Sequence, residues 1–161
     1  MQKKTLTEQE AASFFILYLT KKAQDIWQVI KKSLEDSFKE RFMVTEEDMV
    51  ASYDLALAAI AQDLQALKNL FPVDQAERIE KWIFKCLANL EDWGEYSVDE
   101  VKRYSNAFQK CLNDIDKYGN PINTIPILLL YKILGKNIDN IEVKINGKKT
   151  GFFDPLIVEM V

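Results

Sequence analysis

At 161 residues, the chain has the length of one domain and is large enough to bury a hydrophobic core. Its composition, 48% hydrophobic and 29% charged, is typical of a folded globular protein and unlike that of a disordered chain. The formal net charge is −4, whereas nucleic acids and anionic membranes attract basic surfaces. We therefore expect neither as a partner.

The sequence contains no histidine. This absence removes the commonest general base at neutral pH, the catalytic triads built on it, and most zinc and iron sites. A di-iron bundle of the ferritin type needs Glu-x-x-His pairs and is excluded as well. The two cysteines, Cys86 and Cys111, form no Cys-x-x-Cys motif and fall on apolar helical stripes. We expect buried thiols, with a disulfide across facing helices as the alternative.

The longest apolar run covers residues 11–19. It is too short for a membrane span, and it follows the acidic residues Glu8 and Glu10. It leads into Lys21 and Lys22 without a small-residue cleavage site, so we predict no signal peptide and a cytoplasmic location.

The first two helices are predicted from three features: N-capping residues, apolar residues at helical spacing, and residues that end a helix. A capping box over residues 7–10 opens the first, whose stripe runs to Phe42. Thr45 is the predicted cap of the second helix. This helix carries a heptad seam over residues 53–71 and ends at Pro72.

Two further helices are predicted in the same way. A capping box that begins at Asp74 opens the third helix, which Gly94 ends. A capping box formed by Ser97 and Glu100 opens the fourth helix, which Gly119 stops. Amphipathic helices with such short connections pack most simply as an antiparallel bundle, over residues 7–118.

The pattern changes in the C-terminal part, residues 124–155. Residues 125–134 are apolar nearly all round and predict a short buried fifth helix. Alternating apolar residues over 141–145, followed by Asn-Gly at 146–147, predict a small β-hairpin packed on the helices. The predicted fold is therefore mainly α: an antiparallel four-helix bundle with a short apolar fifth helix and a small C-terminal β-hairpin. Residues 1–161 form a single helical domain.

Residues 14–19 are also apolar on more than one face. We expect them and the fifth helix to be buried against the rest of the molecule. The alternatives are a homodimer interface or an internal pocket for an apolar ligand.

Acidic residues concentrate in the predicted bundle. Residues 45–118 contain eight lysines and arginines but fifteen aspartates and glutamates, a local net charge of −7. In an up-down bundle, the connections between helices one and two and between helices three and four lie at the same end. This acidic end of the bundle would carry Glu46, Glu47, Asp48, Glu91, Asp92, Glu95, Asp99 and Glu100.

Part of this pattern has an ordinary cause, because acids in the first turn of a helix complement its macrodipole. Glu91 and Asp92 do not fit that cause, since they fall at the end of the predicted third helix. Trp93 and Tyr96 lie among the acids, and aromatic residues within a charged surface often anchor a partner. A solvated surface with no specific role is the alternative. The predicted partner-binding residues are Glu46, Glu47, Glu91, Asp92, Trp93, Glu95, Tyr96 and Asp99.

These features favour a non-enzymatic protein-interaction module that binds a basic protein partner, such as an immunity-type inhibitor, an assembly chaperone or an adaptor. We assign no catalytic residue, metal or cofactor. The second hypothesis is a small-molecule sensor or carrier with an apolar pocket between the bundle and the fifth helix. The third is a metal-dependent nucleotide phosphohydrolase, suggested by the Glu77/Glu80 pair, although a second acidic pair is missing.

Overall fold

The computed structural model describes residues 5–38, 47–118, 121, 124–134, 144–145 and 148–149. Within these ranges the protein is mainly helical, as predicted. The helices are α1 (Glu8–Phe38), α2 (Asp48–Leu70), α3 (Val73–Ala88), α4 (Gly94–Asn113), α5 (Ile115–Tyr118) and α6 (Thr124–Leu134). Two short strands follow, β1 (Lys144–Ile145) and β2 (Lys148–Lys149).

The predicted capping box of α1 is confirmed. The backbone N–H of Thr7 donates to Glu10 Oε2 at 2.9 Å, and the backbone N–H of Glu10 donates to Thr7 Oγ1 at 3.2 Å. Each side chain thus satisfies a backbone donor that the first turn of a helix leaves without an internal partner. The sequence alone determines this helix start because both partners lie within four residues.

The other predicted helix starts are wrong by a few residues. Glu47 is the N-cap of α2, two residues after the predicted cap Thr45, which lies outside the described residues. Pro72 precedes α3, which places Asp74 in the first turn, where it accepts a hydrogen bond from Arg78 at 3.0 Å. At the other end of this helix, α3 stops at Ala88, before the predicted Gly94.

The capping box predicted for the fourth helix is also wrong, because α4 begins at Gly94 and both Ser97 and Glu100 lie inside the helix. The Ser97 hydroxyl donates to the backbone carbonyl of Trp93 at 2.5 Å, and Glu100 forms ion pairs described below. The helix also ends earlier than predicted, since Asp114 separates it from α5.

The four long helices pack on one another with α1 and α4 each contacting α2 and α3. Glu8 pairs with Arg78 and Ser13 contacts Cys86, so α1 and α3 run in the same direction. Trp27, in the second half of α1, contacts Asp48 at the start of α2, and Phe15 near the start of α1 lines a cleft with Leu67 near the end of α2. Helices α1 and α2 therefore run in opposite directions. The start of α2 and the junction between α3 and α4 therefore lie at the same end of the molecule, as an up-down arrangement requires.

Helix α6 lies on α2 and α4 and is buried through Ile125, Leu129, Leu130 and Ile133, as predicted. The corresponding expectation for α1 is only partly met. Phe14, Leu17 and Tyr18 are 64%, 69% and 51% exposed, while Ile16 is buried. The reason is geometric: a packed helix buries one stripe, and the wide apolar run of α1 extends beyond it.

Both cysteines are free thiols, as predicted. Cys111 is buried, and Cys86 is half-buried with its Sγ 3.5 Å from the hydroxyl oxygen of Ser13. Neither side chain is bridged to the other.

The strands β1 and β2 pair antiparallel, with Ile145 opposite Lys148. A ladder of two residue pairs is too short to establish the predicted hairpin. The predicted turn at 146–147 and residues 141–143 of the alternating run lie outside the described residues, so a hairpin packed on the helices stays a prediction. Along the parts of the chain that the structure describes, no helix is long and apolar enough to cross a membrane.

Gly94 is a point of close approach between α3 and α4. A Cβ atom on Gly94 would lie 2.9 Å from the carbonyl carbon of Ala88 and closer still to its oxygen. On an open helix, Gly→Ala stabilises by about 1 kcal/mol. Here the backbone must shift, so we expect Gly94→Ala to lower the free energy of unfolding by about 1–3 kcal/mol, measured by urea denaturation.

The matched control is Asn106→Ala, an exposed position on the same helix. We expect it to raise stability slightly because alanine has the higher helix propensity. A neutral or stabilising Gly94→Ala would contradict the close packing of the α3–α4 junction.

Candidate functional site

A groove of about 240 Å³ opens where α2 begins and where α3 gives way to α4. It is lined by Gln24, Met49, Tyr53, Leu90, Glu91 and Trp93. Most of these side chains are apolar or aromatic, and Glu91 is the only charged one among them. The groove therefore combines an apolar floor with a single carboxylate.

Three aromatic rings meet beside this groove. The rings of Tyr53 and Trp93 have centroids 5.3 Å apart and planes at 72°, and those of Trp93 and Tyr96 have centroids 5.6 Å apart and planes at 81°. Edge-to-face pairs of this kind add stability beyond the area they bury. Trp93 is thus held between tyrosines from α2 and α4.

The tyrosine of α2 is fixed by its hydroxyl group. Tyr53 Oη lies 2.5 Å from Ser97 Oγ, and the Ser97 hydroxyl donates to the carbonyl of Trp93. Because that bond uses the serine proton, Tyr53 is the donor to Ser97. Burial raises the pKa of the Tyr53 hydroxyl above its ordinary value, and the nearby charge of Asp54 adds to the rise. The phenol therefore stays protonated and able to donate.

The tyrosine of α4 is fixed by a buried polar network behind the groove. Tyr96 Oη donates to Asp54 Oδ1 at 2.5 Å, and Asp54 is fully buried. Lys132, from α6, donates to Asp54 Oδ1 at 3.1 Å and to the Tyr96 hydroxyl oxygen. The network therefore joins α2, α4 and α6.

Glu100 extends this network. Its Oε2 lies 2.8 Å from Lys132 Nζ and 3.0 Å from an Arg103 nitrogen. Burial raises the pKa of the Glu100 carboxyl, but the hydrogen bonds from Arg103 and Lys132 outweigh burial and leave the pKa below its ordinary value. For Lys132 burial acts in the opposite direction and lowers the pKa, but Glu100 and Asp54 raise it by more, so the pKa lies above its ordinary value. Both groups therefore stay charged at neutral pH.

One atom of the network is left without a partner. Asp54 Oδ2 is buried and accepts no hydrogen bond from the described residues. A buried acceptor without a partner loses the hydration it would have in the unfolded chain, so the network is held by Oδ1 alone at this residue.

The predicted partner-binding residues lie at this end of the molecule but not in one cluster. Glu91 and Trp93 line the groove. Four others are exposed but do not line the groove: Glu47, Asp92, Glu95 and Asp99. Tyr96 is only half-exposed, and its hydroxyl faces Asp54 in the interior. Glu46 lies outside the described residues.

Two acids of the predicted acidic end have internal partners. Glu100 belongs to the buried network, and Asp48 accepts hydrogen bonds from three side chains of α1. These donors are Trp27, Gln28 and Lys31, at 3.0, 3.0 and 2.9 Å. Neither carboxylate is therefore a free surface charge.

Sequence reasoning missed several residues of the site. Tyr53 and Leu90 fall on the apolar stripes of predicted helices, and Met49 has the position of a hydrophobic staple at the start of the second helix. No sequence pattern assigns a role to Asp54. A usable signal was Lys132, the only charged residue in the otherwise apolar α6. A lone charge on a buried helix requires a buried partner of opposite sign.

The acidic pair considered for a metal lies elsewhere. Glu77 and Glu80 line a shallow depression together with Lys81, Lys102 and Phe84. Two lysines beside the carboxylates would compete with a cation for them. Among the described residues, no group of three potential ligands is placed to hold a metal ion.

Comparison with known proteins gives no relative: no family model, curated protein or solved structure matches this chain.

Proposed function

We propose that the protein is a non-enzymatic interaction module, of the kind of an immunity-type inhibitor, assembly chaperone or adaptor. In this proposal α1–α4 act as an antiparallel four-helix bundle whose acidic end binds a basic segment of a partner protein. The observation that carries the proposal is the groove lined by Tyr53, Trp93 and Glu91, which lies among exposed carboxylates.

The two parts of this surface have different roles in binding. The apolar floor, with Met49 at 65% and Leu90 at 37% exposed, gains free energy when a partner removes it from water. The exposed carboxylates of Glu47, Glu91 and Glu95 create a negative potential that speeds the encounter with a basic partner and disfavours acidic ones.

The test is capture of proteins from native lysate at low and at high salt, with identification by mass spectrometry. The variant is Glu91→Lys combined with Glu95→Lys. Asp92 is left unchanged because its φ of 60° lies in the left-handed region, which aspartate tolerates better than lysine. We expect a basic partner whose capture falls with salt and drops by about tenfold or more in the variant, since like charges across an interface cost several kcal/mol.

The matched control is Glu77→Lys combined with Asp116→Lys. Both positions are exposed and lie away from the groove, at the start of α3 and in α5. The control changes the net charge by the same amount and should leave capture unchanged. If both double variants capture equally less of the partner, net charge alone explains the result and the acidic end is not a specific binding site. If the Glu91/Glu95 variant captures as much partner as the parent, the proposal is contradicted.

A second candidate function is a carrier of a small apolar molecule. A cleft of about 160 Å³ lies between α1, α2 and α3, and not beside α6 as the sequence had suggested. Its lining is apolar except for Asp63, whose pKa burial raises and Lys22 partly lowers, leaving it above the ordinary value. Native mass spectrometry of protein purified from its source tests this function. Leu67→Trp, which fills the cleft, should remove any bound molecule.

A further inference from the structure

We infer that the groove at the acidic end receives the side chain of an arginine from the partner protein. This inference rests on the proposed function and names the group that the partner inserts. It is drawn from the lining of the groove together with the charges around it.

The first argument is the arrangement of aromatic rings. Tyr53 and Trp93 both line the groove. Their rings are in edge-to-face contact, with centroids 5.3 Å apart and planes at 72°, so a cation reaches the aromatic surface from the groove side and not between the two rings. A cation close to such rings is attracted by their quadrupoles, and tryptophan is the strongest partner. The rings are also held in place, because Tyr53 bonds Ser97 and Trp93 packs on Tyr96.

The second argument is the polar part of the lining. Glu91 contributes a carboxylate and Gln24 an amide, and among the residues that the structure describes no basic side chain lines the groove. A purely apolar occupant would remove water from Glu91 without replacing it, which is unfavourable. Lys31 of α1 is bound to Asp48, and Lys132 of α6 is bound to Asp54 and Glu100, so the charges of these two lysines are already paired.

The third argument selects arginine over lysine. The guanidinium group is planar, stacks on aromatic faces and forms paired hydrogen bonds with a carboxylate. It is also more weakly hydrated than the ammonium group of lysine, which suits a groove floored by Met49 and Leu90. The side chain of arginine therefore matches the rings, the carboxylate and the apolar floor together.

The experiment uses three blocked tripeptides, Ala-X-Ala, in which X is arginine, lysine or the neutral arginine analogue citrulline. Binding to the full chain is followed by NMR through the indole N–H signals of Trp27, Trp82 and Trp93. We expect the arginine peptide to shift the Trp93 signal with a Kd in the millimolar range and to leave the Trp27 signal unchanged. The lysine peptide should bind about fivefold more weakly, and the citrulline peptide weaker still.

Two substitutions test the named residues. Glu91→Gln should weaken the arginine peptide by about fivefold, whereas Glu95→Gln, the same change of charge outside the groove lining, should have less than about half that effect. Trp93→Leu should abolish binding, followed through the backbone amide of Glu91, while Trp93→Phe keeps a ring and should retain part of it. Glu91 lies on an exposed turn, so Glu91→Gln tests the binding site without removing a buried side chain from the fold.

Equal binding of the arginine and citrulline peptides, or no effect of Glu91→Gln, would overturn the arginine site. The proposed function is judged separately, by protein capture with the Glu91/Glu95 reversal. If capture is lost on reversal while the peptides show no preference, the interaction function stands and the arginine site falls. If the arginine peptide binds at Trp93 while capture is insensitive to reversal, the site stands and the proposed function falls.

Discussion

Replacing Asp54 by alanine is expected to lower the free energy of unfolding by about 3–5 kcal/mol, the usual cost of removing one partner from a buried ion pair. Asp54 is fully buried and accepts bonds from both Tyr96 and Lys132. Without it, Lys132 loses one of its two carboxylates and the Tyr96 hydroxyl faces an apolar gap. Urea denaturation of the variant and the parent measures the difference.

A double-mutant cycle with Lys132→Met separates the ion pair from general packing. The double variant should be less destabilised than the sum of the single ones, because Lys132→Met alone leaves the buried carboxylate of Asp54 without its cation and the double variant does not. Asp99→Ala, at an exposed position of α4, is the control and should change stability by less than about 0.5 kcal/mol. A small effect of Asp54→Ala would mean that water reaches the network.

Replacing Trp27 by alanine is also expected to cost about 3–5 kcal/mol, the range for deleting a buried tryptophan. The side chain is 1% exposed, and its indole N–H donates to Asp48 Oδ1 at 3.0 Å. The substitution therefore removes core volume and a bond between α1 and the first turn of α2.

Trp27→Phe isolates the hydrogen bond from most of the packing. In the folded protein the bonds from Trp27, Lys31 and Gln28 lower the pKa of Asp48 from 3.8 to about 2. A carboxyl whose pKa is depressed by folding stabilises the fold above its unfolded pKa and loses that contribution as the pH falls. The stability that Asp48 provides is thus present above about pH 4 and is lost between about pH 4 and pH 2.

In Trp27→Phe, the pKa of Asp48 should rise toward its ordinary value. The pH range over which the stabilising contribution of Asp48 is lost should therefore become narrower. Titration of the aspartate carboxyl carbon by NMR measures this directly. Gln28→Ala is the comparison, since the hydrogen bond from Gln28 lowers the pKa of Asp48 less than the other two do, and its loss should raise that pKa less. An unchanged midpoint in Trp27→Phe would show that the indole does not determine the titration of Asp48.

These buried contacts matter to the candidate site because they hold its walls. The contact between Trp27 and Asp48 fixes the position of the first two turns of α2, which carry Met49 and Tyr53 to the groove. The bond between Tyr96 and Asp54 fixes the ring on which Trp93 packs. The groove therefore needs little rearrangement when it binds, and less binding energy is lost to ordering side chains.

The sequence by itself determined the features whose causes are local. The mainly helical fold follows from apolar spacing, and the start of α1 follows from a capping box whose partners, Thr7 and Glu10, are three residues apart. The same reasoning located the groove only in part, because Glu91 and Trp93 stood out as acidic and aromatic residues near a helix junction.

Only the tertiary structure decided the features whose causes are distant in the chain. Ser97 and Glu100 have the spacing of a capping box, but α4 begins earlier, at Gly94. The side chain of Ser97 is instead hydrogen-bonded to Tyr53, and that of Glu100 is paired with Lys132. Asp54 and Lys132 are 78 residues apart, and Tyr53 meets Trp93 only because α2 and the start of α4 pack together. Local spacing predicts a helix and its caps, but it cannot identify a buried partner, because that partner is selected by the packing of helices over the whole chain.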